Sequence, residues 1–402
     1  ILYFGSACDQ QWFNHISENI GMPYIVAQYK FEIALLDGLS CKKNMDVKIY
    51  YIYQQLYYPK GKYIFLKSKV KSLNEKLRVA NISAMYLPIM KEICFFVAGI
   101  FLTLKWAIKN MNETEKLILT PFNYTPLAFG ILLIAKIFKI KRVNIFTDLS
   151  ADILNENRQK EMILLKKIIL PYYRKIVNYL ETNYDLYILF TEPMNEKINP
   201  NKKPYLVMEG IFNSGLDLTP EKKEYALMYA GTLSFEYGVK MILDAFEEIE
   251  DENLELWLFG DGDMHDYIIN LCERNKKVKF YGFISHLEVF KYEKKATLLV
   301  NTRNPNDSYT MYSFPSKTFE YMLSGTPYLT TYLKGIPDEY YKYLYVVNNY
   351  AVDSIKSEII KILGKSQRDL ILKGLKARRF ILNLKNHSEQ SDKILKFFSE
   401  EL

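Results

Sequence analysis

The sequence predicts an α/β protein with two parallel sheets, each covered by crossover helices. Short apolar segments alternate with helical segments along the chain, which is typical of strand–helix–strand units. This pattern ends near residue 191 and restarts near residue 227. The length of 402 residues also exceeds one typical core, so we expect two domains.

The composition is that of a globular protein, with 49% hydrophobic and 25% charged residues. The four cysteines have neither the spacing of a metal site nor that of a disulfide framework, which fits a reducing cytoplasm. The most apolar run, residues 93–104, is too short to cross a bilayer. We therefore expect it to be a buried helix, in a protein that is cytoplasmic or peripheral on the inner face of the membrane.

The charge is divided unevenly between the halves. Residues 1–200 hold 26 Lys and Arg against 17 Asp and Glu, whereas residues 201–402 hold 27 against 29. Segment 59–78 has seven basic residues against Glu75, interleaved with apolar ones. It is either a solvated face with a buried stripe or, together with segment 158–175, a docking surface for an anionic membrane. No nucleic-acid-binding module accompanies the charge, so we expect no nucleic-acid partner.

In the first half, strands and helices follow in order. A loop is expected at 7–28, and 199–225 reads as the crossing between the halves. We expect strands at 1–6, 47–53, 116–120, 142–147 and 187–191, and helices at 126–138 and 155–180, the latter interrupted at Pro171.

The second half repeats the pattern with clearer turns. A capping box begins at Ser285. A helix over 313–325 is expected to have Ser313 or Ser316 as its cap, Pro315 in its first turn and Gly325 at its end. The expected strands are 227–230, 254–259, 278–281, 296–301 and 328–331, with further helices at 239–249 and up to residue 274.

These strands end in glycine or small polar residues, and such carboxyl edges bind ligands in α/β proteins. Gly231 follows one strand, and the turn Gly260–Asp261–Gly262 follows the next. Ser316 and Lys317 then open the helix, with Glu320 on the same face. An ammonium beside a diphosphate and a carboxylate beside ribose would bind a nucleotide. The other interpretation is an ordinary capped helix with solvated charges.

Two acidic features allow two interpretations each. Asp148 directly follows the strand at 142–147, so it is either a catalytic group at a sheet edge or a helix N-cap. Asp261 and Asp263 form an acidic pair, but their place after a strand favours a base-binding turn over a metal site.

Four motifs carry a family resemblance. AGTLSFEYG, LFGDGD, YGFIS and FPSKTFEYMLSGTP together resemble the donor-binding half of GT-B glycosyltransferases, especially the retaining family 4 members that build capsular and other bacterial surface polysaccharides. The resemblance implies an acceptor-binding domain at 1–205 and a nucleotide-sugar-binding domain at 206–385, facing a cleft, with a helix at 386–402 crossing back. It also implies no cofactor and no bound metal.

The resemblance assigns roles to individual residues. Glu320 matches the second acidic residue of the family's Glu-x7-Glu motif, which is expected to hold the ribose. Gly231 matches the glycine loop beside the diphosphate, Gly260 and Gly262 match the turn near the base, and Gly325 matches the glycine that ends the motif helix.

Three positions depart from the family pattern. Tyr312 stands where the first motif glutamate is expected, and Thr232 and Tyr237 stand where an Arg and a Lys are expected. The usual cations on the diphosphate are therefore absent, and a diphosphate needs compensating charge. Our hypothesis is that Lys317, with Lys240 second, replaces them.

The resemblance thus implies transfer of a sugar from a nucleotide-diphosphate sugar to an acceptor hydroxyl, on a saccharide or lipid-linked saccharide. Retention of configuration is the family default, and Asp148 is the candidate base if the enzyme inverts. Two alternatives stay open. One is a non-catalytic GT-B subunit that binds a glycan, lipid or sister transferase, and the other is a sugar-nucleotide epimerase.

Overall fold

The chain forms two compact units. Unit 1 holds residues 1–211 and 387–402, and unit 2 holds residues 212–386. The computed structural model describes residues 1–9, 12–13, 23–42, 45–53, 55–74, 77–121, 124–147, 149, 164–212 and 216–401.

Unit 1 consists of ten described strands and six described helices. The strands are β1 (Leu2–Gly5), β2 (Lys48–Tyr51), β3 (Phe65–Leu66), β4 (Val70–Ser72), β5 (Arg78–Asn81), β6 (Ala84–Met85), β7 (Leu117–Thr120), β8 (Lys141–Phe146), β9 (Leu186–Leu189) and β10 (Tyr205–Val207). The helices are α1 (Pro23–Ser40), α2 (Met90–Lys109), α3 (Thr125–Ile137), α4 (Leu164–Glu181), α5 (Met194–Ile198) and α13 (His387–Glu401).

Eight of these strands form one sheet, in the order β10-β9-β8-β7-β1-β2-β5-β4. Every neighbouring pair is parallel except β4 with β5. The strands β1 and β7 are buried along their whole length, as expected for strands of a parallel sheet with both faces covered. The predicted parallel α/β fold is confirmed.

Three predicted bounds in unit 1 are wrong. Residues 205–207, which were assigned to the crossing, form the short edge strand β10 beside β9. Helix α1 starts at Pro23, inside the predicted loop, because proline at a first helical position has no N–H that needs a partner. Helix α4 continues through Pro171, whose single missing hydrogen bond does not break it.

Helix α2 is not buried as predicted. Phe95, Gly99 and Trp106 lie in the core, but Val97 is 53% exposed and Phe101 59% exposed. A helix that is apolar all round is expected to be buried on every side, and sequence alone does not show that one face of α2 is exposed. Among the described residues, no helix combines the length and apolarity needed to cross a bilayer.

A buried carboxylate organises the loop after β1. Glu32 of α1 is fully buried and accepts hydrogen bonds from the backbone N–H groups of Ser6 (2.7 Å) and Ala7 (2.9 Å). The Tyr3 hydroxyl and the Gln28 amide also donate to it, each at 2.8 Å. Backbone N–H groups at this place in a β–α unit are those that bind phosphate in dinucleotide-binding folds. In unit 1 these N–H groups donate to a side chain of the protein itself, Glu32.

Unit 2 consists of six described strands and seven described helices. The strands are β11 (Glu224–Ala230), β12 (Glu255–Phe259), β13 (Val278–Gly282), β14 (Ala296–Asn301), β15 (Tyr328–Thr331) and β16 (Tyr345–Val347). The helices are α6 (Val239–Glu247), α7 (His265–Arg274), α8 (His286–Lys295), α9 (Lys317–Ser324), α10 (Asp338–Tyr341), α11 (Val352–Leu363) and α12 (Gln367–Leu384).

The second sheet is parallel throughout, in the order β13-β12-β11-β14-β15-β16. The order reverses direction between β11 and β14, which makes their carboxyl ends a topological switch point, the usual ligand site of open α/β sheets. The predicted cap of α8 is confirmed, since the Ser285 hydroxyl accepts from the Glu288 N–H at 3.3 Å.

Helix α9 starts later than predicted and ends where predicted. Its first residue is Lys317, so Pro315 precedes the helix, and its carbonyl accepts from the Thr318 N–H at 2.8 Å. Ser316 makes no side-chain cap hydrogen bond. Gly325 ends the helix at φ +72°, and the Arg378 guanidinium donates to the Leu323 carbonyl at 2.8 Å.

We expect a Glu32→Gln variant to be destabilised by about 2–4 kcal/mol, because an amide presents N–H groups to donors that need an acceptor. Urea denaturation of both proteins measures the change. The matched control is Glu400→Gln, at an exposed position (60% side-chain exposure), which should leave stability unchanged. Equal stability of the Glu32 variant and the wild type would contradict the role of the buried carboxylate.

Candidate functional site

The carboxyl edge of the second sheet brings together the turns that follow β11, β12 and β13. The Gly231 N–H donates to the Phe259 carbonyl at 3.0 Å, and the Gly260 N–H donates to the Gly282 carbonyl at 2.9 Å. The Leu233 N–H donates to the Asp261 carbonyl at 3.0 Å. Backbone hydrogen bonds therefore join the predicted glycine turns into one continuous rim.

The glycines of this rim are required by backbone contacts. A Cβ atom on Gly260, whose φ is +122°, would lie 1.9 Å from the Gly231 carbonyl oxygen. A Cβ atom on Gly262 would lie 2.3 Å from the Leu233 oxygen. The absence of a Cβ atom at Gly260 and Gly262 therefore allows close approach of the neighbouring turn.

A charged cluster lies on one side of α9 and includes two of the predicted residues. The Lys317 ammonium lies 2.5 Å from Glu320 Oε2 and 3.3 Å from Glu293 Oε1. The other Glu320 oxygen lies 2.6 Å from His286 Nε2. Both oxygens of Glu320 thus have protein partners, and the ammonium predicted for a diphosphate is already paired with carboxylates.

The pKa values of this cluster follow from burial and charge. Burial raises the pKa of Glu293 to about 7, the nearby ammonium of Lys317 opposes this rise, and Glu320 adds to it. Burial lowers the pKa of Lys317, but Glu320 and Glu293 raise it by more, so the net shift is upward. The Oε2 atom of Glu293 is buried and meets no donor among the described residues, which favours the neutral acid.

The structure does not join Lys240 to this cluster. Its ammonium pairs with Asp244 one turn along α6 and lies 5.4 Å from the centroid of the Tyr267 ring. Among the described residues, the ion-pair partner of Lys240 is therefore different from those of Lys317. The predicted pair of replacement cations is therefore not assembled as one group.

The other predicted residues occupy exposed or peripheral positions. The Thr232 carbonyl accepts from the Tyr229 hydroxyl at 3.0 Å, and its side chain is exposed. Asp261 accepts from its own turn, at the Gly262 N–H (2.8 Å). Ser316 is exposed at the start of α9. Asp148 lies outside the described residues.

Tyr312 is 9% exposed. It stands at the position where the resemblance expects an acidic ligand-binding residue.

Within the described part of the chain, no group of three or more His, Cys, Asp or Glu side chains is placed to hold a metal ion.

Arg303 is the cation that the sequence analysis missed. It is the second residue after β14, and its guanidinium carbon lies 4.8 Å from the centroid of the Tyr237 ring. Gly238 is in backbone contact here, since a Cβ atom on it would lie 1.8 Å from the Thr302 oxygen. The Thr331 hydroxyl donates to the Arg303 carbonyl at 2.6 Å. Three elements therefore fix the position of this residue.

No carboxylate of the described residues neutralises the charge of Arg303. No ion pair of the described residues includes it, and its Nε atom is buried without an acceptor there. Burial raises the pKa of Tyr229 to about 12, and the nearby charges of Arg303 and Lys317 oppose that rise. The signal available in the sequence was position, because Arg303 lies two residues after the buried strand at 296–301.

His286 and Glu293 were also missed. Both belong to α8 and reach Glu320 and Lys317 of α9 across a separation of 24 to 34 residues. These residues come together because α8 packs against α9, and a short sequence motif does not contain information on that packing.

Comparison with known proteins finds a family match within unit 2. Residues 217–378 match the sequence profile of the family described as glycosyl transferases group 1. An uncharacterised glycosyltransferase of Methanocaldococcus jannaschii is 29% identical over 119 residues, which cover 28% of this chain and 28% of that relative. The similarity therefore spans little more than a quarter of the relative's length.

Solved structures match nearly the whole chain. Sucrose-phosphate synthase from Thermosynechococcus elongatus has a TM-score of 0.63 at 14% identity, with 99% of this chain and 98% of that chain covered. Anabaena HepE in complex with UDP has a TM-score of 0.62 at 12% identity, with 99% of both chains covered. The fold is that of the GT-B glycosyltransferases. Together with the family match, it supports placement in that superfamily.

We expect the wild-type protein to lose stability relative to a Glu293→Gln variant as the pH rises from about 4.5 to about 7. A buried acid with a raised pKa contributes its full stability below its unfolded value of 4.5 and loses it through the folded value of about 7. Glutamine does not titrate.

Urea denaturation at several pH values across this range measures the difference. A Glu252→Gln variant, at an exposed position, is the control and should show no such dependence. A Glu293→Gln difference that stays constant with pH would contradict the assigned pKa.

Proposed function

We propose that this chain is a glycosyltransferase that moves a sugar from a nucleotide-diphosphate sugar to an acceptor hydroxyl. The observation that carries the proposal is the family match over 217–378. This range lies wholly within unit 2 and contains the continuous rim of turns at the sheet's carboxyl edge. That edge combines backbone turns, a helix N-terminus and a guanidinium that has no ion-pair partner in the described ranges, and such groups bind phosphate in α/β proteins.

The proposed donor site uses three parts of unit 2. The turn Gly260–Asp261–Gly262 is placed beside the base, and Gly231 with Thr232 beside the diphosphate. Glu320 is placed beside the ribose. Because its two oxygens already contact His286 and Lys317, we assign Lys317 the role of orienting Glu320, with a second, weaker electrostatic effect on the diphosphate.

We propose Arg303 as the main cation on the diphosphate. Tyr237 stands where the resemblance expects a lysine, and the guanidinium of Arg303 lies over that same ring. The positive charge is therefore supplied from the end of β14 in place of the loop after β11. A planar guanidinium can donate two parallel hydrogen bonds to a phosphate, which an ammonium cannot. Such stabilisation of the departing diphosphate is what the transfer requires.

The finer features of the reaction are part of the same proposal. The acceptor is a saccharide or lipid-linked saccharide in surface polysaccharide synthesis, the anomeric configuration is retained, and neither a metal nor a cofactor takes part. The basic segment 59–78 supports an acceptor at an anionic membrane, since Ile64, Phe65 and Val70 within it are exposed. Of segment 158–175, residues 158–163 lie outside the described residues.

We expect one nucleoside diphosphate to bind and an Arg303→Ala variant to bind it about 10- to 100-fold more weakly, because a charge-assisted hydrogen bond is worth about 1.5–3 kcal/mol. Thermal-shift screening of UDP, GDP, ADP and dTDP identifies the base, and calorimetric titration with and without EDTA then measures the affinity. The matched control is Arg274→Ala. Arg274 lies at the end of α7 and pairs with Glu247, so its loss should leave binding unchanged.

The nucleoside without phosphates separates two kinds of loss. Arg303→Ala should weaken diphosphate binding and leave nucleoside binding intact, whereas Glu320→Ala should weaken both. Unchanged diphosphate affinity in Arg303→Ala would remove Arg303 from the site. Failure of every diphosphate to bind the wild-type protein would favour a non-catalytic GT-B subunit.

A further inference from the structure

An exposed apolar surface lies on three adjacent helices of unit 1. On α2 and α3, exposed apolar side chains recur at helical spacing along one side of each helix. They are Ile93, Val97, Phe101 and Ile108 on α2, and Phe129, Leu133 and Ile137 on α3. We name this set the α2–α3 face.

The two helices share this face because their backbones are in contact. A Cβ atom on Gly99 would lie 2.5 Å from the Leu127 oxygen, and one on Gly130 would lie 2.3 Å from the Phe96 oxygen. The rings of Phe96 and Phe129 stack at 6.0 Å beside this crossing. The two apolar rows are therefore neighbours on a continuous surface, and apolar patches of this extent on soluble domains mark interaction sites.

Helix α4 extends the surface with aromatic side chains. Tyr172 and Tyr179 are exposed, and the Lys136 ammonium of α3 donates to the Tyr179 hydroxyl at 3.1 Å. Tyrosines with an apolar ring and a polar tip are favoured where an apolar layer meets water.

The charge around the α2–α3 face is positive. Four exposed lysines lie on α2, on α3 or two residues after α3: Lys105, Lys109, Lys136 and Lys139. The one acidic residue of α2 and α3, Glu92, contacts the hydroxyls of Tyr57 and Tyr124. Glu181, which ends α4, is 5% exposed. Glu113 and Glu115 follow α2 in the next loop.

We infer that the α2–α3 face docks on an anionic lipid surface. Apolar side chains would enter the boundary between head groups and acyl chains, while lysine stems lie along it with their ammonium groups at the phosphates. A second copy of the chain is a poorer occupant, because a two-fold interface would set one lysine row against the other. This inference rests on unit 1 alone and does not need the proposed donor site to be correct.

The test is flotation of the purified chain with vesicles of phosphatidylcholine, either alone or mixed with phosphatidylglycerol. We expect binding to the mixed vesicles and little to the neutral ones. The double variant Val97→Glu/Phe101→Glu should bind the mixed vesicles at least about tenfold more weakly, because it removes two apolar contacts and adds two negative charges.

The matched control is Ile360→Glu/Leu372→Glu in unit 2, where both apolar side chains are similarly exposed (51% and 44%). It should bind vesicles as the wild type does. Circular dichroism and nucleotide affinity establish that each variant is folded.

Three results would overturn the inference. The first is that Val97→Glu/Phe101→Glu binds vesicles as well as the wild type does. The second is that the wild type binds neutral and anionic vesicles equally. The third is that the wild type is a dimer that binds no vesicles, and that the double variant is a monomer. The last result would assign the α2–α3 face to self-association. If the wild-type protein binds vesicles but no nucleotide, the donor site is refuted and the inference about the α2–α3 face still holds.

Discussion

The second unit depends on direct contact between the backbones of consecutive strand ends. Gly260 lies against the carbonyl of Gly231, and Gly238 lies against the carbonyl of Thr302. Each contact is possible only without a Cβ atom. Together they join the ends of β11, β12 and β14 closely enough for groups on different strands to act on one ligand. The geometry of the proposed donor site therefore depends first on the packing of these turns and only then on individual side chains.

Charge compensation explains how two carboxylates and a lysine coexist on α8 and α9. Lys317 pairs with Glu320 and with the buried Glu293, whose raised pKa favours the neutral form. A helix side whose charges are already balanced adds little net positive charge. In the proposed site, Arg303 supplies that charge from the loop after β14, and it forms no ion pair among the described residues. The proposal thus gives orientation to Lys317 and charge to Arg303, in place of the pair of loop cations that the resemblance implies.

The sequence predicted the parts of the fold that depend on local chemistry. The parallel strands follow from short apolar runs between helices, and the end of α9 follows from Gly325. The predicted start of α9 is too early because the Pro315 carbonyl, and not a serine side chain, accepts from the Thr318 N–H near the start of the helix. The partners of Lys317 and Glu320 were missed because they come from another helix. Arg303 was missed because its significance depends on the ring of Tyr237, 66 residues away in the chain.

The buried carboxylate of Glu32 has a consequence for the whole chain. In each unit, a loop with backbone N–H donors follows the first strand of the sheet. In unit 2 the Gly231 and Leu233 N–H groups of this loop donate to the carbonyls of Phe259 and Asp261. In unit 1 the acceptor is instead the buried side chain of Glu32, so an outside anion would have to displace this side chain to reach the same N–H groups. A side chain of the protein itself therefore occupies the place where a phosphate would bind in the first loop of unit 1.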